Sequence, residues 1–552
     1  MTPTHRRRRP RRAAVYRAVR RVPVVCAMVL VPAVVVAVTG TVRNPTSDAD
    51  LVLPLVAVVA AVAVAGYASV RRIRRTATRT TPGAGAAAVV PLDELDRRAQ
   101  RLLVRTDDCV RTSREELGAA EALSGSEAVR MPAEALEFAA AELAQAFLVR
   151  RRLDDGEGRG RVLLEEILAR CEEAGLRLDT AAAGFDQIRA LERTAPETLE
   201  HTETRFRELT ARVAEADGTL AGLRERRALS AYLPVTGHDE EAKDRLVFAT
   251  ACLNRTRQAL DRGGTEEAVA ALRAAEAAVD QAALLLDGVA RLASDLSAAA
   301  GELPSALADA EADLADARTG LGQGTARADL RGRISHGESV VAAVREERGG
   351  GSPGPKGAPG ARAQDDPVDA LRRIEQVATG LDRALHRVPD GSRALARLQR
   401  ALLVARGSVR AASDQVTTHR GAVHCEARTC LAEAELRLRA AGNTGTPPVP
   451  SPADALADAR EADTLARRAR QLAERDVRAY GTPYAEGLWT GGAALGGILL
   501  DAPHRTADRP GHPGDGGPAS YGGPGTRGRR DGGELFRPTP PQSPPPDKAK
   551  AS

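Results

Sequence analysis

The residues of this chain best equipped for chemistry are His419, His424, Cys425 and Cys430. Imidazole and thiolate are ligands that zinc favours. The spacing does not suit one site. On a helix, at about 100° per residue, a five-residue step leaves two side chains about 140° apart around the axis. His419 to His424 and Cys425 to Cys430 are both such steps. The same angle keeps the two cysteines from pairing within an intact helix, so all four read as structural residues. The adjacent acids Asp107-Asp108, Asp154-Asp155, Glu165-Glu166 and Glu172-Glu173 are candidates for paired catalytic carboxylates. Helical neighbours point about 100° apart, however, and nothing apolar in the sequence encloses them. They read as a solvated face.

Other chemistries fail on spacing. None of the four lysines, Lys243, Lys356, Lys548 and Lys550, sits in a phosphate-binding G-x-x-x-x-G-K-[ST] loop. There is no H-E-x-x-H, no Glu-x-x-His of a di-iron bundle, and no G-x-S-x-G elbow. Aromatic residues make up 2% of 552 residues. Ligand pockets and single-strand nucleic-acid sites both lean on aromatic walls, so both are disfavoured. No catalytic, cofactor or metal residue is assigned. The chain is expected to be no enzyme and to bind no nucleic acid.

The elements that would position any site are helical. Alanine, leucine, arginine and glutamate dominate, and all are good helix formers. From Pro91 onward apolar residues recur at helical spacing, as in Leu92, Leu95, Ala99, Leu102, Leu103 and Thr106. Further helices are expected over 133–153, 161–194, 197–231, 240–261, 265–300 and 304–319. Gly156, Gly158, Pro196, Pro234, Gly237, Gly263, Gly264 and Pro304 supply the breaks. A repeat lies in the second half. Glu267-Ala268-Val269, Asp369-Ala370-Leu371 and Asp454-Ala455-Leu456 each follow a turn signal and an earlier helix. The offsets are consistent with a period of about 85–90 residues, as in arrays of stacked helical units.

Charge divides the chain. The net charge is +5. Residues 1–79 hold 15 arginines against Asp48 and Asp50, which is +13 and leaves 5 − 13 = −8 for the rest. The basic residues flank two uncharged apolar segments, 22–42 and 51–70. Each is long enough to cross a hydrocarbon core of about 30 Å. Arg6, Arg7, Arg8, Arg9, Arg11, Arg12, Arg20 and Arg21 precede the first, and Arg71, Arg72, Arg74 and Arg75 follow the second. By the positive-inside rule these arginines orient a hairpin with both flanks in the cytoplasm and 43–50 outside. The alternative is that 22–42 is the core of a signal sequence cut after Gly40. Either way the bulk of the chain is expected in the cytoplasm, at the cell membrane. The few scattered cysteines agree with a reduced compartment.

The expected fold is all-α. An N-terminal transmembrane hairpin leads to a long array of coiled-coil-like helical bundles and a disordered tail. The order is a basic N-terminus 1–21, membrane helix 22–42, turn 43–50, membrane helix 51–70, basic linker 71–90 and helical region 91–348. A Gly/Pro-rich flexible insertion 349–365, a second helical region 366–487, a short Gly-rich apolar segment 488–500 and the tail 501–552 complete it.

Several long strings resemble one family. They are 92–117 (LDELDRRAQRLLVRTDDCVRTSREEL), 163–197, 245–260 (RLVFATACLNRTRQAL), 418–431 (THRGAVHCEARTCL), and 473–484 with the Gly-Gly-x-x-Leu-Gly-Gly that follows. They are similar to the cytoplasmic region of actinobacterial TPM-domain membrane proteins, over about residues 51–500. The resemblance implies a signal sequence, an extracytoplasmic TPM domain, one membrane helix, a cytoplasmic helical region and a Gly-rich tail. Where the TPM domain belongs this chain has only residues 43–50, so phosphatase-like activity attributed to that domain has no residues here to carry it. The expected function is a membrane-anchored, non-enzymatic scaffold or interaction module for cytoplasmic proteins of unknown identity. The alternatives are an accessory subunit whose catalysis lies on another chain and a self-assembling, spectrin-like protein on the membrane surface.

Overall fold

A computed structural model describes residues 90–322, 328–349, 365–387, 391–443, 451–481, 491–499 and 518–530. The chain divides into two units, 1–89 and 90–552, and the described residues all belong to the second. The expected membrane segments and their orienting arginines, Arg6 to Arg21 and Arg71 to Arg75, lie outside the described residues. Among the described residues no helix is long and apolar enough to cross a membrane.

The described architecture is all-helical, without strands. In order the elements are α1 Leu92–Ser124, α2 Arg130–Asp154, α3 Gly160–Arg189, α4 Leu191–Arg226, α5 Leu229–Tyr232, α6 His238–Asp261 and α7 Thr265–Gly322. They continue as α8 Ala328–Gly349, α9 Pro367–Leu385, α10 Gly391–Thr418, α11 Cys425–Ala441, α12 Pro452–Tyr480, α13 Gly491–Leu495 and α14 Pro524–Arg530. Four cores organise them. Helices α1–α3 close over Leu103, Phe147, Ile167, Leu178 and Phe185. Helices α4, α6 and the first half of α7 enclose Leu220, Phe248, Leu272 and Leu285. The second half of α7 packs with α8 and α9 over Leu314, Val341, Ile374 and Leu381. Helices α10–α12 share Val416, Leu431, Leu465 and Ala469. The scarcity of aromatic side chains suits such bundles, because alanine and leucine layers fill narrow interhelical gaps without large rings.

Helix α7 runs 58 residues and serves two of these cores. The expected break at Pro304 is absent, and the helix passes through it. Proline removes one backbone bond and crowds the preceding turn. Burial of Leu296, Leu303 and Leu307 on both sides holds the rod together. The break expected at Pro196 falls earlier, at Ala190, whose φ of 41° is left-handed and rare for a residue with a Cβ. Pro196 then lies inside α4.

The three repeat strings each open a helix. Asp366 and Ser451 cap α9 and α12 by accepting from the amides of Asp369 and Asp454, three residues on. Pro367 and Pro452 occupy the first helical position, where a missing N–H costs nothing. The shared apolar positions Ala268, Ala370, Leu371, Ala455 and Leu456 are buried. Each repeat helix packs on the helix before it, giving the pairs α6–α7, α8–α9 and α11–α12.

One expectation for the C-terminal part changes. Residues 518–530, inside the span expected to be disordered, pack on the first bundle. Tyr521 stacks on Phe185 with ring centroids 4.3 Å apart, and its hydroxyl donates to the Pro132 carbonyl at 2.8 Å. The Asp179 carboxylate accepts from the Gly525 and Thr526 amides at the start of α14. Aromatic burial and these bonds offset the ordering cost of a glycine-rich segment. Of the Gly/Pro-rich insertion, residues 350–364 lie outside the described residues, while Asp365 at its end takes a two-pronged ion pair from Arg227.

Candidate functional site: a buried arginine–carboxylate junction

The polar groups that packing hides collect where α1, α6, α7 and the α10–α11 connection meet. Arg428 of α11 is buried, and its Nη1 lies 2.6 Å from Asp107 and 2.7 Å from Asp108, both on α1. Its Nε and Nη2 donate to the Val423 and Arg420 carbonyls. Arg420 makes two parallel bonds of 2.8 Å to the Glu115 carboxylate. Arg245 of α6 donates to Gln281 and to the Thr418 carbonyl. Gln281 passes the chain on to the Gly496 carbonyl at 2.7 Å. A buried guanidinium is tolerated only when its donors are met, and the planar fork meets carboxylates two at a time. Burial opposes the charge on Arg428 and Arg420, and the carboxylates beside them more than restore it. Burial would also raise Asp107, but Arg111 and Arg428 bring it below the usual carboxylate range.

The Gly-rich segment lies across this layer as bare backbone. Gly421 donates to the Leu495 carbonyl at 2.8 Å. A Cβ on Gly492 would run into the Arg245 guanidinium, and one on Gly496 into the Gln281 amide. A Cβ on Gly497 would stand 2.7 Å from Arg420 Nε. Three glycines are thus needed because side chains already occupy the space. The short Gly-rich apolar segment 488–500 is described at 491–499, where Ala493, Leu495 and Ile498 are buried.

A second cluster adjoins the first. Arg189 pairs with Glu276 and lies 3.8 Å from Glu116, while Arg205 holds Asp280 at 2.7 Å. Three carboxylates here face two guanidiniums. Burial pushes Glu276 up to about 7 and Asp280 up to about 6, against the pull of Arg189 and Arg205, and the acids' mutual repulsion adds to it. The surplus acid can therefore hold a proton near neutral pH.

The four sequence candidates for metal binding are not brought together. His419 is buried, 2.9 Å from Thr418 Oγ1 and 3.4 Å from Glu241. The His424 ring is exposed beside Asp476. Cys425 faces Thr429, and Cys430 lies in another core. Among the described residues no His/Cys/Asp/Glu group has metal-binding geometry. Burial raises the thiols of Cys109 and Cys425 to about 11 and those of Cys171 and Cys252 to about 12, so all four stay protonated and weakly nucleophilic at neutral pH. The acidic pairs divide. Asp154 and Asp155 form ion pairs within their own helix turn, with Arg150 and Arg151. Asp107 departs from the expected solvated face, because Arg428 reaches it from 321 residues away in sequence. Sequence reasoning passed over Arg245, Arg420 and Arg428. Their one signal was position, since each lies in a string that carried the family resemblance.

The comparisons bear on the same strings. No family model matches the chain. It is 32% identical over 427 residues to UPF0603 protein MT2410 and UPF0603 protein Rv2345, both of Mycobacterium tuberculosis. The chain is similar to UPF0603 proteins. The match covers 75% of this chain and 62% of each relative, so the chain spans under two thirds of the relatives' length. The names of these relatives do not by themselves confirm the narrower likeness to TPM-domain proteins. No solved structure matches.

Proposed function

We propose that the chain is a membrane-tethered, non-enzymatic helical scaffold whose bundles face the cytoplasm and hold protein partners. The observation that carries this reading is the junction itself. Its buried cations pair with carboxylates and carbonyls of neighbouring elements, which cross-links bundles. The uncharged segments 22–42 and 51–70, with basic flanks and a short acidic turn between, support the tether. A maleimide probe added outside intact cells tests topology at Thr46→Cys. Labelling supports the hairpin, and protection with labelling only after lysis overturns it. Partner capture from the detergent-solubilised chain tests the scaffold. Recovery of no reproducible partner, together with normal growth after deletion, would sink that reading.

One second reading is an accessory role for a phosphatase-like TPM or signalling protein on another chain, motivated by the short connection 43–50 where the resemblance places a TPM domain. Co-purification of a phosphatase activity with the chain, lost when that second protein is deleted, would select it over the plain scaffold.

A further inference from the structure

A cleft of about 340 Å³ opens between α8, α9, α10 and α12 and shares no lining residue with the junction. Pockets for small molecules begin at about this size. Six guanidiniums line it, from Arg333, Arg372, Arg383, Arg400, Arg460 and Arg467. Only two carboxylates do, Glu375 and Asp463. Both are already shared. Asp463 takes Arg372 at 3.0 Å and Arg467 at 3.2 Å. Glu375 takes Arg460 and also Arg397 at 2.7 Å. Arg400 turns to Asp309, and Arg333 to Asp329 on its own helix. Arg383 has no carboxylate within ion-pair distance among the described residues. Gly380 leaves room for Arg333 to lean over α9, since a Cβ there would lie 3.3 Å from its Nη1.

With Asp309 and Asp329 counted beside the two lining carboxylates, the six guanidiniums leave 6 − 4 = +2, in a helical body that is about −10 over residues 80–500. Concentrated like charge is unfavourable unless something answers it. Guanidinium forks answer best to phosphoryl oxygens. Leu371, Ile374, Ala401 and Val404 supply an apolar wall for a carbon skeleton. No aromatic side chain lines the cleft, so a nucleobase finds no stacking surface.

We propose that this cleft binds a small non-aromatic organic phosphate, with Arg383, Arg460 and Arg467 meeting the phosphoryl group. The site is independent of the scaffold reading, and either can fail alone. Calorimetric titration of the purified full chain with glycerol 3-phosphate, pyrophosphate, acetate and AMP tests it. Saturable binding of the first two, at least 10-fold tighter than acetate and no weaker than AMP, is the expected result. Arg383→Glu and the milder Arg383→Gln should each weaken it, the former by 10-fold or more. Arg207→Glu on α4, outside the cleft, should leave it unchanged. Circular dichroism of each variant checks that the helices persist. Absence of saturable binding, indifference to both Arg383 variants, equal loss in Arg207→Glu, or a preference for AMP would each overturn the proposal.

Discussion

Arginine does opposite things in two regions of this molecule. At the junction Arg428, Arg420 and Arg245 are fully buried, and their donors meet the Asp107, Asp108 and Glu115 carboxylates, the Gln281 amide and the Val423, Arg420 and Thr418 carbonyls. In the cleft six guanidiniums face two lining carboxylates, and while Arg400 is buried against Asp309, Arg383 is exposed with no carboxylate within ion-pair distance among the described residues. The side chain is the same, so the difference lies in stoichiometry and solvent. Matched and dry, a guanidinium fixes how bundles meet. Unmatched and wet, it is available to an anion from outside.

The sharpest way to break this contrast is Arg428→Met. Removing Arg428 strands Asp108 and leaves Asp107 with Arg111 alone at 3.0 Å, and breaking a buried pair in this way costs up to about 3–5 kcal/mol. Urea denaturation should show it as a lower midpoint. A loss under about 1 kcal/mol would mean that water reaches the junction and that the two regions do not differ in kind. Gly492→Ala attacks the same layer from the backbone side. Its methyl group meets the Arg245 guanidinium, and overpacking of this sort costs about 1–3 kcal/mol. Hydrogen exchange should quicken at the Gly421 amide, whose acceptor is the Leu495 carbonyl.

Much of the fold was legible because helix signals are local. The period of the apolar stripe, the cap and proline before Asp369 and Asp454, and the repeat register all act within a few residues, and burial of Ala370, Leu371, Ala455 and Leu456 follows from them. Pro304 misled because a local helix breaker is overridden when a core clamps the helix on both sides. The junction was illegible for the opposite reason. Nothing within a turn of Asp107 announces Arg428, and only the tertiary fold decides which acidic pair is dry. Tyr521 was hidden by composition, since one aromatic among glycines and prolines carries little signal until Phe185 is placed beside it.

The acid-rich cluster lies between the two extremes and tests charge matching through pH. Glu276 has a folded pKa of about 7 against 4.5 as reference, and Asp280 about 6 against 3.8. Raised values mean that the folded state holds protons the unfolded state has released. Their stabilising effect is complete below pH of about 4 and fades as pH rises through 6 and 7. Glu276→Gln keeps the neutral shape and removes that dependence. Melting curves between pH 5 and 8 should flatten by on the order of 1–2 kcal/mol relative to the parent chain. An unchanged slope would place the titrating proton elsewhere.

The smallest expected effect is the most discriminating for the cleft. Arg383→Ala removes a cation that no carboxylate among the described residues holds, so stability should move by less than about 0.5 kcal/mol, as for surface positions without special contacts. A small gain is the natural sign, because one of six crowded guanidiniums leaves and repulsion among the rest falls. Raising the salt concentration should shrink that gain, since exposed charges are screened within about 10 Å at 0.1 M. A loss as large as that of Arg428→Met would show that Arg383 is structurally matched after all, and the distinction between the two arginine regions would fall with it.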